Sequence, residues 1–499
     1  MAVPTYRLHP RSHWARLSRA PASELRALQD RALRRFVREE LYPFSAWYRR
    51  RFDAAGVRPR DIRCVDDLRR LPFTTKQDLL EAQVGTGTQR DFVLVPTPEA
   101  IRAHWPLARK LALVAGGAGA REMLRRAYTP SFLTFTTGRS SEPVAFTYTP
   151  YDVDLLGETG ARMMDVVGID DPGLRVLNMF PFAPHMAFWA VTLAGFASGR
   201  LTVPTGGGKV MGTAGNLRMI EKLKPNALVA TPGYLYHVLR AGRERGIDSS
   251  SVRIVVLGAE KVPPGLKAKM AEALEAGGAR DVVISGTYGF TEARVAWGEC
   301  PAAYDESPGY HTYPDLGLLE VIDPHSGEPL GEGETGELVY TALAGHGTVV
   351  CRYRTGDMAI GGITREPCPW CGSTVPRVSS ELRRVSERHA LNLTKVKGTL
   401  VDLSHVGTIL ADSRDVEEWQ VVLAKQDGDP LGLDLFTLRI CARDGADREQ
   451  LERELRAEIA AATEVSPNSV VFHSLPEMLE FLGLETEMKE KRYLDQRPK

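Results

Sequence analysis

The sequence predicts an α/β protein: a large N-terminal domain of mixed and parallel sheets covered by helices, with a β-rich subdomain, followed by a small mobile α+β domain. Three observations carry this. From about residue 131, short Val/Ile/Leu/Phe runs (VLNMF, NALVA, RIVVLG, DVVISG) alternate with helical stretches such as GLKAKMAEALEA, the pattern of parallel strands buried on both faces by helices. Near 310 the texture becomes strand, Gly-rich turn, strand (LGLLEVIDP, SGEPLGEGETG, ELVYTAL). After about 388, EWQVVLAKQ, LDLFTLRICA, the charged helix ADREQLERELRAEIAAAT and SVVFHSL form a smaller α+β set. The expected division is 1–387, with 295–387 as its β-rich part, and 388–499. Ahead of the sheets, residues 22–52 carry Leu25, Leu28, Leu33, Phe36 and Leu41 at helical spacing between arginines, with Ser23 as the expected N-cap.

Composition narrows the function. With 499 residues, 43% hydrophobic and 25% charged, the chain is neither disordered nor collagen-like. Lys+Arg and Asp+Glu both number 63, so there is no surplus positive charge to draw nucleic acid or an anionic membrane, and a small molecule is the expected partner. Arg7, Arg11, Arg16 and Arg19 precede no apolar run, and no stretch of about 18 apolar residues occurs. Neither a signal peptide nor a membrane span is expected. Six cysteines are too few for a disulfide scaffold of this length, which points to a reducing cytoplasm.

Four segments offer chemistry. TFTTGRSSEP (134–143) supplies hydroxyls and uncovered backbone N–H groups that suit phosphate oxygens, although the same composition makes a plain polar turn. SGTYGFTE (285–292), following the apolar DVVI, places an aromatic ring, a glycine and a carboxylate at a strand end, where they would serve a base and a metal ion; a turn capped by Thr291 is the plainer reading. CRYRTGDMAI (351–360) ends in an Asp able to accept two hydroxyls of a ribose, or is an ordinary turn. The C-terminal EMKEKRYLDQRPK gathers Lys489, Lys491, Arg492 and Arg497, a run that on position alone is a solvated tail.

In this order, and together with TPGYLYHVL, VVLGAEKVPPGL, EVIDPHSGEPLGEGETGELVYTAL and YRTGD, these segments resemble the acyl-adenylate-forming superfamily, most closely its phenylacetate–CoA ligase-like branch. The resemblance covers nearly the whole chain. It implies ATP-dependent conversion of a carboxylate to an acyl adenylate with pyrophosphate release, then transfer of the acyl group to CoA. By position, Thr136, Thr137, Gly138, Arg139, Ser140 and Ser141 match the phosphate loop, while Gly258, Ala259 and Glu260 match an adenine-side segment. Tyr288, Gly289, Thr291 and Glu292 match the adenine and Mg²⁺ motif, with Glu292 the metal ligand, and Asp357 matches the ribose carboxylate. Lys489 matches the lysine that meets the carboxylate and α-phosphate, where a fixed ammonium stabilises developing negative charge. Ser141 and Glu142 stand where the family has a second glycine and a lysine, Met488 replaces the glycine before the terminal lysine, and Lys491 is the alternative lysine. The hinge reads RRVSERHALN, aligning Arg388 and Asn392 only loosely; around it the small domain would swing, bringing Lys395, Lys397 and Gly398 towards the thioester site.

The resemblance also places FPFAPHMAFW and TGGGK around the acyl group, with His185, Phe188, Trp189 and Gly207 as pocket residues and an aromatic acid as the preferred substrate class. His185 is equally readable as a packed core histidine. CPWCG supplies a C-x-x-C, and the resemblance, which brings the loop after YRTGD near the segment after YGFTE, implies that Cys300, His311, Cys368 and Cys371 together would make a closed, structural zinc site of the Cys₃His type. A redox pair is the competing reading, but the segment lacks the βαβ setting such a motif needs. Cys64, Cys351 and Cys441 are expected to be buried as small apolar side chains. The expected cofactors and substrates are therefore ATP, Mg²⁺, CoA and structural Zn²⁺, with a homodimer possible and no nucleic-acid or membrane partner. A carrier-protein or amine acceptor, or a degenerate non-catalytic relative that binds a ligand, are the alternatives; Glu142 and the altered hinge favour the last.

Overall fold

The apolar stripe that begins at Leu25 builds helix in two pieces. The computed structural model describes residues 11–83, 90–136, 143–384, 393–396, 399–426, 433–484 and 490–497. In it, helix Ala22–Phe36 buries Leu25, Leu33 and Phe36. Its N-cap is Pro21 and no side chain caps it, so Ser23 lies within the first turn and is not the cap. A single π-turn, Val37–Leu41, follows, and Ser45 then turns extended (φ −98°, ψ 118°) and ends the run. The Ser45 hydroxyl accepts from the Tyr48 amide at 3.2 Å and starts a second helix, Ala46–Ala54, which is the capping that Ser23 does not provide.

The first strands, β1 (Phe132–Phe135) and β2 (Ala145–Tyr148), pair antiparallel. The central sheet contains β3 (Arg175–Asn178), β4 (Leu201–Pro204), β5 (Ala227–Ala230), β6 (Ile254–Leu257), β7 (Val283–Phe290) and β8 (Val295–Gly298), in the order β4-β3-β5-β6-β7-β8. All neighbours are parallel except β7 and β8. Successive residues face opposite cores, as the two-residue period of a strand requires. Leu177, Leu228 and Val255 join Leu235, Leu239, Met270 and Leu274 of the helices Pro232–Glu244 and Pro264–Ala276. Val176, Val229, Ile254 and Val256 join Met163, Met164 and Val191 of the helices Pro150–Val166 and Met186–Ser198. The continuous apolar runs of the sequence are strands buried on both faces, as expected.

The β-rich part holds β9 (Tyr310–His311), β10 (Gly317–Ile322), β11 (Gly336–Ala342), β12 (Tyr353–Ala359), β13 (Ile363–Thr364), β14 (Arg377–Val378) and β15 (Leu382–Arg384). They form an antiparallel sheet β10-β11-β12-β15 and a small one, β13-β14-β9. Beyond it, β16 (Leu393–Val396) and β17 (Thr399–Asp402) make a hairpin, and β18 (Val416–Lys425), β19 (Asp434–Ala442), β20 (Ser469–Phe472) and β21 (Tyr493–Asp495) form a sheet in the order β20-β19-β18-β21. This last sheet has a core of its own, where Val421, Leu423, Leu438 and Ile440 meet Val406 and Leu410 of helix Leu403–Asp412 and Leu451, Leu455 and Ile459 of helix Arg448–Thr463. Among the described residues, no helix is long and apolar enough to cross a membrane.

Candidate active site at the strand ends

Of two motifs expected at strand ends, one lies inside a strand and the other is strand up to Phe290, with Thr291 and Glu292 in the turn that follows. β7 continues through Gly286, Thr287 and Tyr288 to Phe290, because its first half pairs with β6 and its second half with β8. β12 likewise runs through Thr355, Gly356 and Asp357. Tyr288 stands near the end of β7, ahead of the turn that carries Glu292, and Tyr353 opens β12 four residues before Asp357, with the register shifting around Gly356 (φ 73°) between them. The two pairs are cross-linked. The Tyr288 hydroxyl donates to Oδ2 of Asp357 at 2.7 Å, and the Tyr353 hydroxyl donates to Oε1 of Glu292 at 2.8 Å. Both carboxylates are buried, at 9% (Glu292) and 5% (Asp357) exposure, so they are held and mostly desolvated.

Packing dictates the glycines here. A Cβ on Gly289 would lie 3.0 Å from the Val295 carbonyl of β8, so only glycine lets the two strands close up. A Cβ on Gly258, after β6, would lie 2.5 Å from Thr287 Oγ1 and 3.3 Å from the Phe180 ring. The next residue, Ala259, has φ 71°, a left-handed conformation costly for a residue with a Cβ. Glu260 follows on the same loop. In the turn after β7, Thr291 accepts the Arg294 amide through its carbonyl at 3.1 Å and is not seen capping a helix. Arg294, at φ 57°, reaches Asp152 at 2.6 Å. Asp152 also accepts the amides of Thr149, His346 and Gly347, tying the Glu292 turn to the start of helix Pro150–Val166 and to the loop after β11.

The acyl-side residues adjoin the start of the phosphate-loop segment. The backbone N–H of Phe135 donates to the Pro184 carbonyl at 2.8 Å, and His185 Nδ1 lies 2.9 Å from the Phe135 carbonyl. Thr136 Oγ1 accepts the Val144 amide at 3.0 Å. Phe188 meets Trp189 edge to face at 5.4 Å and Phe182 at 5.2 Å, while Trp189 donates to the Ala183 carbonyl. Phe188 itself is 7% exposed and Phe182 58%, so the open aromatic face is the latter's. Gly207, at φ 70°, abuts the Met179 carbonyl; beside it Asn216 Nδ2 bonds the Tyr234 hydroxyl at 2.9 Å. Thus Thr136, His185, Phe188, Trp189, Gly207 and Gly258 converge at the C-terminal ends of β3 to β6, the place where open α/β sheets hold ligands. Thr137, Gly138, Arg139, Ser140, Ser141, Arg388, Asn392, Lys397, Gly398 and Lys489 lie outside the described residues.

The cysteine and histidine expectations are brought together beside this site. Cys300 follows β8, His311 lies on β9, and Cys368 and Cys371 lie in the loop between β13 and β14. Their ligand atoms all fall within 4.8 Å of one another, with Cys300 Sγ 3.6 Å from Cys368 Sγ and Cys371 Sγ 3.3 Å from His311 Nε2. Ligands about 2.3 Å from a tetrahedral zinc stand about 3.7 Å apart, so the set fits that ion, whereas the sulfurs are far beyond disulfide length. His311 Nδ1 lies 3.4 Å from the Gly298 carbonyl, leaving Nε2 for a metal. Cys351 and Cys441 are buried as expected; Cys64 is only half-buried, its N–H held by Asp67 at 3.2 Å.

Sequence reasoning left Tyr353, Asp152 and Arg294 unassigned. The first was discoverable, since it stands four residues before Asp357 on one strand. The other two were not, because their partners are 142 positions apart.

Residues 156–346 match the family model described as AMP-binding enzyme. The chain is 29% identical to the phenylacetate-coenzyme A ligase of Thermus thermophilus over 412 residues, covering 82% of this chain and 80% of that protein. Its fold is that of 2-hydroxyisobutyryl-CoA ligase. Against that protein's postadenylation state in complex with 2-HIB-AMP, the TM-score is 0.76 at 21% identity, over 97% of this chain and 92% of the other. Against the same protein with 2-HIB-AMP and CoA in the thioesterification state it is 0.64 at 20% identity, over 98% and 94%. By its motifs, its strand-end constellation and these relatives, the chain is similar to the AMP-binding, acyl-adenylate-forming enzymes, and among them to the phenylacetate-coenzyme A ligases.

Proposed function

We propose that this protein is an ATP-dependent acid–thiol ligase that converts a carboxylic acid, with an aromatic acid as the preferred class, to its acyl adenylate and then transfers the acyl group to CoA. The observation that carries this reading is the reciprocal pairing of Tyr288 with Asp357 and of Tyr353 with Glu292, which supports one nucleotide site built from two motifs. Asp357 would accept both ribose hydroxyls, and Tyr288, Gly258, Ala259 and Glu260 would border the base. Glu292 would hold Mg²⁺, which when bound neutralises charge on the phosphate oxygens. Thr136 and the residues up to Ser141 would meet the phosphates. Lys489 would bring its ammonium to the oxygens that gain negative charge as the acid attacks the α-phosphorus and pyrophosphate leaves.

The aromatic preference is supported by Phe182, Phe188 and Trp189, whose rings lie 5.2 to 6.0 Å apart beside His185 and Gly207. In this reading the chain divides at 387/388 into the adenylate-forming domain and a lid that swings between the two half reactions, with Arg388 in the hinge and the β-rich part from 295 joined to the zinc site. Zinc on Cys300, His311, Cys368 and Cys371 would be structural, because four protein ligands leave no open position for water. The protein works in the cytoplasm on small molecules, and a dimer is compatible with it.

The test is incubation with ATP, Mg²⁺ and a panel of aryl and aliphatic acids, with and without CoA. Acid-dependent pyrophosphate, acyl-AMP and, with CoA, acyl-CoA are expected, aryl acids leading. Adenylate without transfer to CoA points to a carrier-protein or amine acceptor. No product from any acid favours the non-catalytic relative.

A further inference from the structure

The C-terminal unit meets the large one through buried charges. Arg240, on helix Pro232–Glu244, is 8% exposed and sends Nη1 to Glu417 Oε1 and Glu418 Oε1, each at 3.3 Å. Both acids belong to β18, and Glu418 is 1% exposed. The Tyr236 hydroxyl, one helical turn before Arg240, donates to Glu417 Oε1 at 3.0 Å. From within the C-terminal unit, Arg492 donates to the other oxygen of Glu418 at 2.7 Å and also pairs with Glu490 at 2.9 Å. Lys269 of helix Pro264–Ala276 donates to the carbonyls of Ala411 and Val416, at 2.9 and 2.8 Å. Arg443 spans the seam as well, bonding Glu417 at 3.2 Å and Glu272 at 3.1 Å.

Buried ion pairs contribute little net stability against well-packed apolar residues, but removing one partner is costly, so their best-attested use is to fix one arrangement over others. Here the arrangement has a consequence at the edge of the C-terminal unit, where Leu484 and Glu490 meet the large one. The Leu484 carbonyl lies 3.2 Å from the Cβ position of Gly208, on the loop expected to line the acyl group. Glu490 presses on Gly233, where a Cβ would come within 2.0 Å of Oε2. Arg492, bonded to Glu490 and Glu418, joins that contact to Arg240. The TM-scores agree: the chain superposes better on its neighbour's postadenylation state than on the thioesterification state.

We propose that Arg240 is a positioning residue that, by holding Glu417 and Glu418, keeps the C-terminal unit in the arrangement serving the adenylation step, and so sets the balance between the two half reactions. This rests on the ligase reading above. Two variants test it in the full-length protein: Arg240→Met, which removes the cation, and Gly233→Ala, which adds a methyl group that Glu490 must vacate. The second keeps every partner of Arg240 and places a better helix former in the large unit. Acid-dependent ATP–pyrophosphate exchange reads the first half reaction, and transfer from separately prepared acyl adenylate to CoA reads the second. Exchange is expected to fall about tenfold or more in both variants while transfer changes less than about twofold, with Arg240→Lys recovering part of the loss.

A merely structural role would lower both half reactions together. That outcome, or exchange at the wild-type rate in both variants, overturns the proposal. Should the wild type catalyse neither half reaction with any acid, the ligase reading fails, and X-ray scattering of the same variants still reads the docking. An unchanged radius of gyration would then overturn it, and an increase would uphold Arg240 as the residue that seats the C-terminal unit.

Discussion

Tyr288 donates its hydroxyl to Asp357 at 2.7 Å, and Tyr353, four residues before Asp357, returns the same bond to Glu292, four residues after Tyr288, at 2.8 Å. Two strands from different sheets thereby exchange a tyrosine for a carboxylate. Neither acid can reorient without releasing a phenol that belongs to the other motif, so the ribose and metal functions proposed for them are mechanically coupled.

Tyr353→Phe breaks one half of this exchange without changing the shape of the site. A hydrogen bond to a charged group contributes about 1.5 to 3 kcal/mol. Part of that is recovered through water, so roughly a tenfold loss in pyrophosphate release is expected. It should appear as a raised Mg²⁺ requirement, because Glu292 is the group that loses a donor. Measuring the rate against Mg²⁺ at saturating ATP decides it; a change confined to the KM for the acid would place Tyr353 elsewhere in the mechanism.

The Gly289→Ala variant tests the closeness of β7 and β8. Its methyl group would sit 2.9 Å from the Ala296 Cβ and 3.0 Å from the Val295 carbonyl, and strands cannot yield as a flexible side chain can. Overpacking of this kind costs about 1 to 3 kcal/mol. A lowered Tm with a raised KM for ATP is the expected result, since Tyr288 and Glu292 flank the position. A variant as stable and active as the wild type would show that the strands move apart freely.

How far all this was readable in the sequence depended on the range of the interactions. Strand runs such as RIVVLG and the helix after them announce themselves because burial on both faces leaves a local apolar signature. Cys368 and Cys371 were legible from their C-x-x-C spacing, whereas Tyr288, Asp357, Cys300 and His311 were legible only through the family resemblance of their segments, and the fold supplied their meeting. Asp152 with Arg294, and Arg240 with Glu418, were illegible: each is a single charged residue whose partner lies 142 or 178 positions away, and no periodicity marks it. The motif boundaries were misjudged for a related reason. SGTYGF carries two glycines and a Thr, which locally argue for a turn, while pairing with β8 keeps the chain extended to Phe290.

Zinc should purify with the protein at about one ion per chain, and less than about half an ion would refute the Cys₃His assignment. Cys368→Ser removes one thiolate from a set whose atoms lie within 4.8 Å. The Thr374 and Ser373 side chains beside the loop bond the Ser18 carbonyl, at 3.3 and 3.0 Å, so loosening the loop also frees the N-terminal helices. A Tm lower by at least about 3 °C, matched by chelator treatment of the wild type, is the expected outcome. An effect of Cys368→Ser that chelation does not reproduce would locate the cysteine's role in packing.

Asp315 gives the stability a defined acid limb. Burial raises its pKa, but His13, at 3.6 Å, and Arg162, bonded to both carboxylate oxygens at 2.8 and 2.9 Å, outweigh it and bring the group from 3.8 to about 2. A folded-state pKa below the unfolded one means the unfolded chain takes up the proton first. The contribution, about 2 kcal/mol, is therefore fully present above pH 4 and is lost as the pH falls through about 2. Asp315→Asn removes the charge that Arg162 and His13 face, so urea midpoints for wild type and variant should differ at pH 7 and 5 and converge between pH 4 and 2. A gap that stays constant across that range would mean that Arg162, already paired with Glu158, does not depend on Asp315 for its second partner.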